Sequence, residues 1–165
     1  MLIAAGLVAI LLLLSALHFY WGVGGRWPGH DAASLSLRVV GTPSAKVPSF
    51  LACAAVAAAL ACASLIVAFG QTPIAFGLQA LVVYGGYVVL IAVFALRGLA
   101  PYVTPAFNYA KGTPFFTLNR RYYAPLCLLI AAALIATFPR RAEAALHDAV
   151  QMFRLSAPAR ADSPS

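Results

Sequence analysis

The stretch VPSFLACAAVAAALACASLIVAFGQTPIAFGLQALVVYGGYVVLIAVFAL, residues 47–96, contains no Asp, Glu, Lys, Arg or His across 50 positions. A helix needs about 20 predominantly apolar residues to cross the ~30 Å hydrocarbon core of a bilayer, so this run holds two spans and a reversal. Gly70-Gln71-Thr72-Pro73 marks the reversal, because glycine ends one helix and proline starts the next. The sequence therefore predicts spans over about 50–69 and 74–96. The first is crowded with Ala52, Ala54, Ala55, Ala57, Ala58, Ala59, Ala61 and Ala63. Small side chains let membrane helices approach closely where lipid supplies no hydrophobic drive. Gly77, Gly85 and Gly86 suggest the same in the second, and Gln79 is a candidate for an interhelical hydrogen bond.

Two further apolar runs lie outside this stretch, at about 2–21 and 122–139. The first has no basic residue before it and ends in His18-Phe19-Tyr20-Trp21, an aromatic cluster typical of the membrane interface, so an uncleaved span is expected rather than a signal peptide. The fourth is closed by Arg140-Arg141, with Pro125 in its first turn where a missing N–H costs little. The expected fold is all-α: a polytopic membrane protein with four transmembrane helices in a compact bundle over residues 1–139. A polar tail, 140–165, follows, with a short amphipathic helix at 143–154 and disorder from 156.

Composition agrees. Of the 165 residues, 63% are hydrophobic and 9% charged, with a mean hydropathy of +0.91, whereas a soluble domain is about 25% charged. The net charge of +7 would suggest nucleic acid in a soluble protein. Here the basic residues flank apolar runs, so topology and anionic lipid account for them and nucleic acid is not a predicted partner. Seven of the 11 basic residues fall in the two long loops (Arg26, Arg38, Lys46, Arg97, Lys111, Arg120, Arg121) and four in the C-terminal segment, which favours cytoplasmic loops and external termini. Cys53, Cys62 and Cys127 all lie in apolar runs and read as small core residues, with no C-x-x-C pair.

Candidate functional side chains gather at one end of the predicted bundle. They are His18, Tyr20 and Trp21 at the end of the first span, Arg26 and Trp27 just after it, Arg97 at the end of the third, and Arg120, Arg121 and Tyr122 at the start of the fourth. The loop between the last two spans adds Pro101, Tyr102, Pro105, Phe107, Tyr109, Pro114, Phe115 and Phe116, which suits a segment in the headgroup zone or folded over the bundle mouth. His18 is the ionisable side chain inside a span, open to a structural role or to ligand or proton handling. The arginines suit snorkelling and topology, or an anionic headgroup. Asp31, Glu143, Asp148 and Asp162 all lie outside the spans, which disfavours carboxylate proton relays. No H-E-x-x-H, Cys/His metal cluster or G-x-S-x-G setting occurs, so no cofactor, metal or catalytic group is predicted.

Leu17-His18-Phe19-Tyr20-Trp21 followed by Gly24-Gly25-Arg26-Trp27 resembles the first-span signature of a bacterial family of small four-helix membrane proteins, the domain of unknown function numbered 3995. The stretch Arg121-Tyr122-Tyr123-Ala124-Pro125-Leu126-Cys127-Leu128-Leu129 is similar to its R-x-Y-S-P-L-C-L-L segment, and Arg97-Gly98 to the end of its third span. The chain departs from the pattern at Ala100 and Pro101, where a Gly-Asp and a basic residue are expected, and at Ala124, where serine is usual. The resemblance implies four helices in a bacterial cytoplasmic membrane and carries no activity with it. The expected role is a non-enzymatic accessory or interaction protein, or a lipid-binding one, working with membrane lipid, a membrane-protein partner or a second copy of itself. The alternatives are a small-molecule transporter acting as a homo-oligomer and a membrane enzyme centred on His18.

Overall fold

The computed structural model describes residues 1–42, 48–72 and 78–139, and these contain helices and no strand. Three helices are long and apolar enough to cross a membrane: α1 (Leu2–Gly22), α3 (Phe50–Gly70) and α4 (Leu78–Val103). Between the first two lies α2 (Ala32–Val39). After α4 come a 3-10 turn (Pro105–Ala110), the short α5 (Pro114–Leu118), a π-turn (Asn119–Tyr123) and α6 (Ala124–Ala136). Apolar side chains surround the long helices on every side, so helix is the conformation that satisfies their backbone polar groups internally. Ser49 starts α3 by accepting the Ala52 N–H on its hydroxyl at 3.3 Å.

The bundle is a ring: α1 packs on α3, α3 on α4, α4 on α6 and α6 back on α1. One core takes residues from all four: Leu7 and Leu11, Ala63 and Val67, Val83, Tyr87 and Phe94, and Ile130, Ala131 and Leu134. Glycine and small residues set the spacing. A Cβ on Gly22 would lie 3.1 Å from the Cys53 Cβ, and one on Gly86 would lie 2.8 Å from the Ile66 side chain. At Gly98 it would meet Leu128 at 2.7 Å and the Ala124 carbonyl oxygen at 3.0 Å. These contacts join the end of each helix to the start of the next, so neighbours run antiparallel. Polar bonds reinforce them. The Ser15 hydroxyl of α1 donates to the Ala57 carbonyl of α3 at 2.7 Å, and Gln71 Nε2 donates to the Tyr87 hydroxyl at 3.2 Å and the Thr137 carbonyl at 3.3 Å.

Several expectations need correction. The sequence predicts four membrane-length helices, and three are present among the described residues. The predicted fourth span, 122–139, begins inside the π-turn and continues as a 13-residue α6 ending at Ala136, about 20 Å of helix. The predicted third span stops at Leu96, but α4 runs on past Arg97 and a buried Pro101 to Val103, because Arg97 finds partners within the protein. Gly85 faces open space, leaving the close contact to Gly86. Gln79 is exposed, and Gln71 makes the interhelical bond expected of it. Of the cysteines, Cys53 is buried, Cys127 half-buried and Cys62 exposed, so only the first is fully a core residue. Gly77, the start of the predicted third span, Lys46 and the whole 140–165 tail, with its expected amphipathic helix and disorder, lie outside the described residues.

The Gly98 contact is directly testable. Gly98→Ala should lower unfolding stability in detergent by about 1–3 kcal/mol through overpacking. Gly85→Ala, with nothing within 4 Å, should be neutral or slightly stabilising; equal losses would show that α4 and α6 do not meet at this point.

Candidate functional site

The two long connections fold into a cap over one end of the bundle. Asp31 starts α2 by accepting the Ser34 N–H at 2.7 Å, while the Ser34 hydroxyl accepts the backbone N–H of His30 at 2.9 Å and of Asp31 at 3.1 Å, a reciprocal cap. These bonds hold the Asp31 carboxyl below its ordinary pKa. The second connection docks on the first through backbone acceptors. The Tyr109 hydroxyl donates to the Val40 carbonyl at 3.0 Å and the Tyr123 hydroxyl to the Arg38 carbonyl at 3.2 Å. Gly41, at φ +86°, lies where a Cβ would be 2.7 Å from both Ala110 and Phe115. Only glycine takes that backbone freely in so tight a space.

The residues singled out in the sequence fall into three places. At the end of α1, His18 donates its Nδ1 proton to the Leu14 carbonyl at 2.8 Å and meets the Trp21 ring edge-on at 5.1 Å. Trp21 Nε1 donates to the Trp27 carbonyl at 2.7 Å, and the Tyr20 hydroxyl accepts the Arg26 and Trp27 amides at 3.3 and 3.4 Å. Gly25 sits against the Tyr20 ring, where any Cβ would clash. The signature His-x-Tyr-Trp and Gly-Gly-x-Trp residues thus fold a turn on the end of their own helix, leaving Arg26 and Trp27 exposed.

The second place is the outer rim of the cap. The Arg120 guanidinium lies 5.4 Å from the Tyr102 ring centre and 5.8 Å from that of Phe116, and Arg121 lies 5.6 Å from Tyr122. The Tyr102 hydroxyl donates to the Arg120 carbonyl. Arg120, Arg121 and Tyr122 are all exposed. Such cation–π pairs steady a guanidinium without neutralising it.

The third place is inside. Arg97 turns under the 3-10 turn, with its guanidinium carbon 4.9 Å from the Phe107 ring centre, and Nη2 donates to Asn119 Oδ1 at 3.0 Å. Asn119 is fully buried. It opens the π-turn, whose wider winding points Asn119 inward while the next three residues stay outside. The structure therefore separates Arg97 from Arg120 and Arg121, which the sequence groups on one face. Arg38, whose Nη1 donates to the Pro28 carbonyl at 3.2 Å, links the turn after α1 to the rest of the cap. Asn119 and Arg38 were not among the sequence candidates, and no linear spacing marks either one.

The chain belongs to the family described as Protein of unknown function (DUF3995), whose model matches residues 11–134, from the middle of α1 into α6 with the whole cap included. No curated protein and no solved structure matches it.

Trp21→Phe removes one hydrogen bond worth about 1 kcal/mol and should speed amide exchange at Gly25–Trp27 about fivefold, while α3 is unaffected; unchanged exchange would mean the indole does not hold the turn. The lowered Asp31 pKa gives a second prediction. Its folded value lies below the unfolded 3.8, so the stabilisation of α2 is complete above about pH 5 and fades as pH falls through the folded value. Exchange protection of Leu35 should weaken in acid accordingly, and Asp31→Asn should flatten that dependence.

Proposed function

We propose that this chain is an integral protein of the bacterial cytoplasmic membrane that crosses it four times over residues 1–139 and binds anionic lipid through the rim of its cap, in a non-enzymatic accessory role. The fourth crossing is the run 122–139, which begins below the exposed Arg120 and Arg121; its helical part, to Ala136, is about 22 Å long, and local thinning of the bilayer accommodates so short a span. Large apolar side chains stand exposed on the outward faces of each crossing, including Leu13, Leu51, Leu65, Leu81, Val89 and Leu129, as lipid contact requires.

The observation that carries the lipid reading is the set of exposed arginine–aromatic pairs, Arg120 with Tyr102 and Phe116 and Arg121 with Tyr122, at the point where helix 114–136 leaves the cap for the bundle. Aromatic rings favour the headgroup level, and guanidinium groups held there attract anionic headgroups. Asp31 is the one acidic residue among the described residues, and its carboxylate is occupied in capping α2, so the rim keeps its positive charge. With Arg26, Arg38, Lys111, Arg120 and Arg121 among its described residues, the cap carries the positive bias of a cytoplasmic face. Partner membrane proteins or a second copy would meet the chain along the exposed faces of its spans.

Native mass spectrometry of protein released from nanodiscs of mixed phosphatidylglycerol and phosphatidylcholine should show phosphatidylglycerol enriched on the protein. The double variant Arg120→Gln/Arg121→Gln should lose about tenfold of that preference, from roughly 1 kcal/mol per interfacial cation less salt screening. No enrichment on the wild type, or equal enrichment on the variant, would rule out the rim as a lipid site.

A further inference from the structure

We propose that Arg97 and Asn119 form an internal site for a single phosphate oxyanion, distinct from the rim, beneath the 3-10 turn at the mouth of the bundle. The bond from Arg97 Nη2 to Asn119 Oδ1 at 3.0 Å fixes which way the amide points, since a guanidinium offers only donors and must face the oxygen. That leaves Nδ2 as the donor of the same amide group. Asn119 Nδ2 and Arg97 Nη1 are both buried, and neither has a hydrogen-bond partner among the described residues. Two buried donors on adjoining groups leave room for an acceptor, and a negative one would offset the guanidinium charge as well.

Asp31, the acidic residue among the described ones, is committed elsewhere to the Ser34 amide. The missing acceptor therefore comes from outside the described residues, and a phosphate oxygen fits: it accepts from a guanidinium and an amide together, in short charge-assisted bonds. A lipid headgroup and a free phosphate from the aqueous side would present the same kind of oxygen to the two donors. The Phe107 ring packs over the guanidinium, its centre 4.9 Å from the guanidinium carbon. A buried water would satisfy a donor but would leave the charge uncompensated.

The test follows the thermal unfolding of the purified full chain in a maltoside detergent, which contains no phosphate. One arm adds inorganic phosphate against chloride at equal ionic strength, and the other adds short-chain phosphatidylglycerol. The expected result is a saturable rise of about 4 °C or more in at least one arm. A response to inorganic phosphate identifies the free anion as a source, and a response to phosphatidylglycerol alone identifies the headgroup. Asn119→Asp replaces the unpartnered donor with a carboxylate facing Arg97, so it should unfold at or above the wild-type temperature while its response weakens at least about tenfold. Arg120→Gln/Arg121→Gln should keep the response. Silence in both arms, a full response in Asn119→Asp, or a response lost from the rim variant and kept by Asn119→Asp would each overturn the internal site. None of these outcomes depends on whether the rim prefers anionic lipid.

Discussion

Lipid tails are as apolar as leucine, so helices in a membrane gain little from hydrophobicity when they meet and are held by how closely their backbones approach. In this protein the approach is set at Gly22, Gly86 and Gly98, where a Cβ would run into Cys53, Ile66 and Leu128 respectively. Everything else in the bundle is arranged around those distances. The Ser15 bond to Ala57 needs α1 and α3 near enough for a hydroxyl to reach a carbonyl. The shared core of Leu11, Val67, Tyr87 and Leu134 closes only when the ring of four helices is tight. The cap inherits its geometry from the same contacts, because Gly98 brings the end of α4 against the start of α6, and Arg97 and Asn119 sit beside that junction.

At the cap, a different economy takes over. The connecting segments use tyrosine hydroxyls to reach backbone carbonyls across long sequence separations, Tyr109 to Val40 and Tyr123 to Arg38. A backbone acceptor in a loop costs free energy if it is buried without a partner, so each such bond closes a gap that secondary structure leaves open. The arginines divide by environment. Arg120 and Arg121 lie against exposed rings and remain charges available to the surroundings, while Arg97 is drawn inward by an amide and a phenyl ring. Three arginines that read alike in the sequence thus have two different physical situations.

The helical class, the long apolar helices and the reversal near Gly70 were legible because each depends on a run of neighbouring residues. The pattern of apolar residues between charges located α1 and α3 to within a residue or so. It misjudged the end of α4, since a charge is read as the edge of the membrane whether it faces water or an internal partner. It misjudged α6 for a related reason: hydropathy reports composition, and the π-turn at Asn119–Tyr123 is a matter of winding. At the candidate site, the aromatic and basic residue types were visible, as was their crowding at one end. The pairing of Arg97 with Asn119 was not, because it joins two different elements, α4 and the π-turn, across 22 positions that include two breaks in the helix. The roles of Tyr20 and Trp21 were hidden for the opposite reason. Their partners are backbone atoms, which carry no sequence label.

The π-turn also bears on the phase of α6 against the cap. One residue more than a regular turn is wound into it. Each residue along a helix turns the side chains by about 100°. Removing a single residue between Asn119 and Tyr123 would let the turn relax to regular helix, leaving α6 in phase with Ile130 and Leu134 in the core and Leu129 and Ile135 outside. The same deletion after Ala124, where no surplus residue is wound in, would rotate the rest of α6 by a full step. The turn is thus the point at which this helix tolerates a change of length, and what such a change gives up is the inward direction of Asn119.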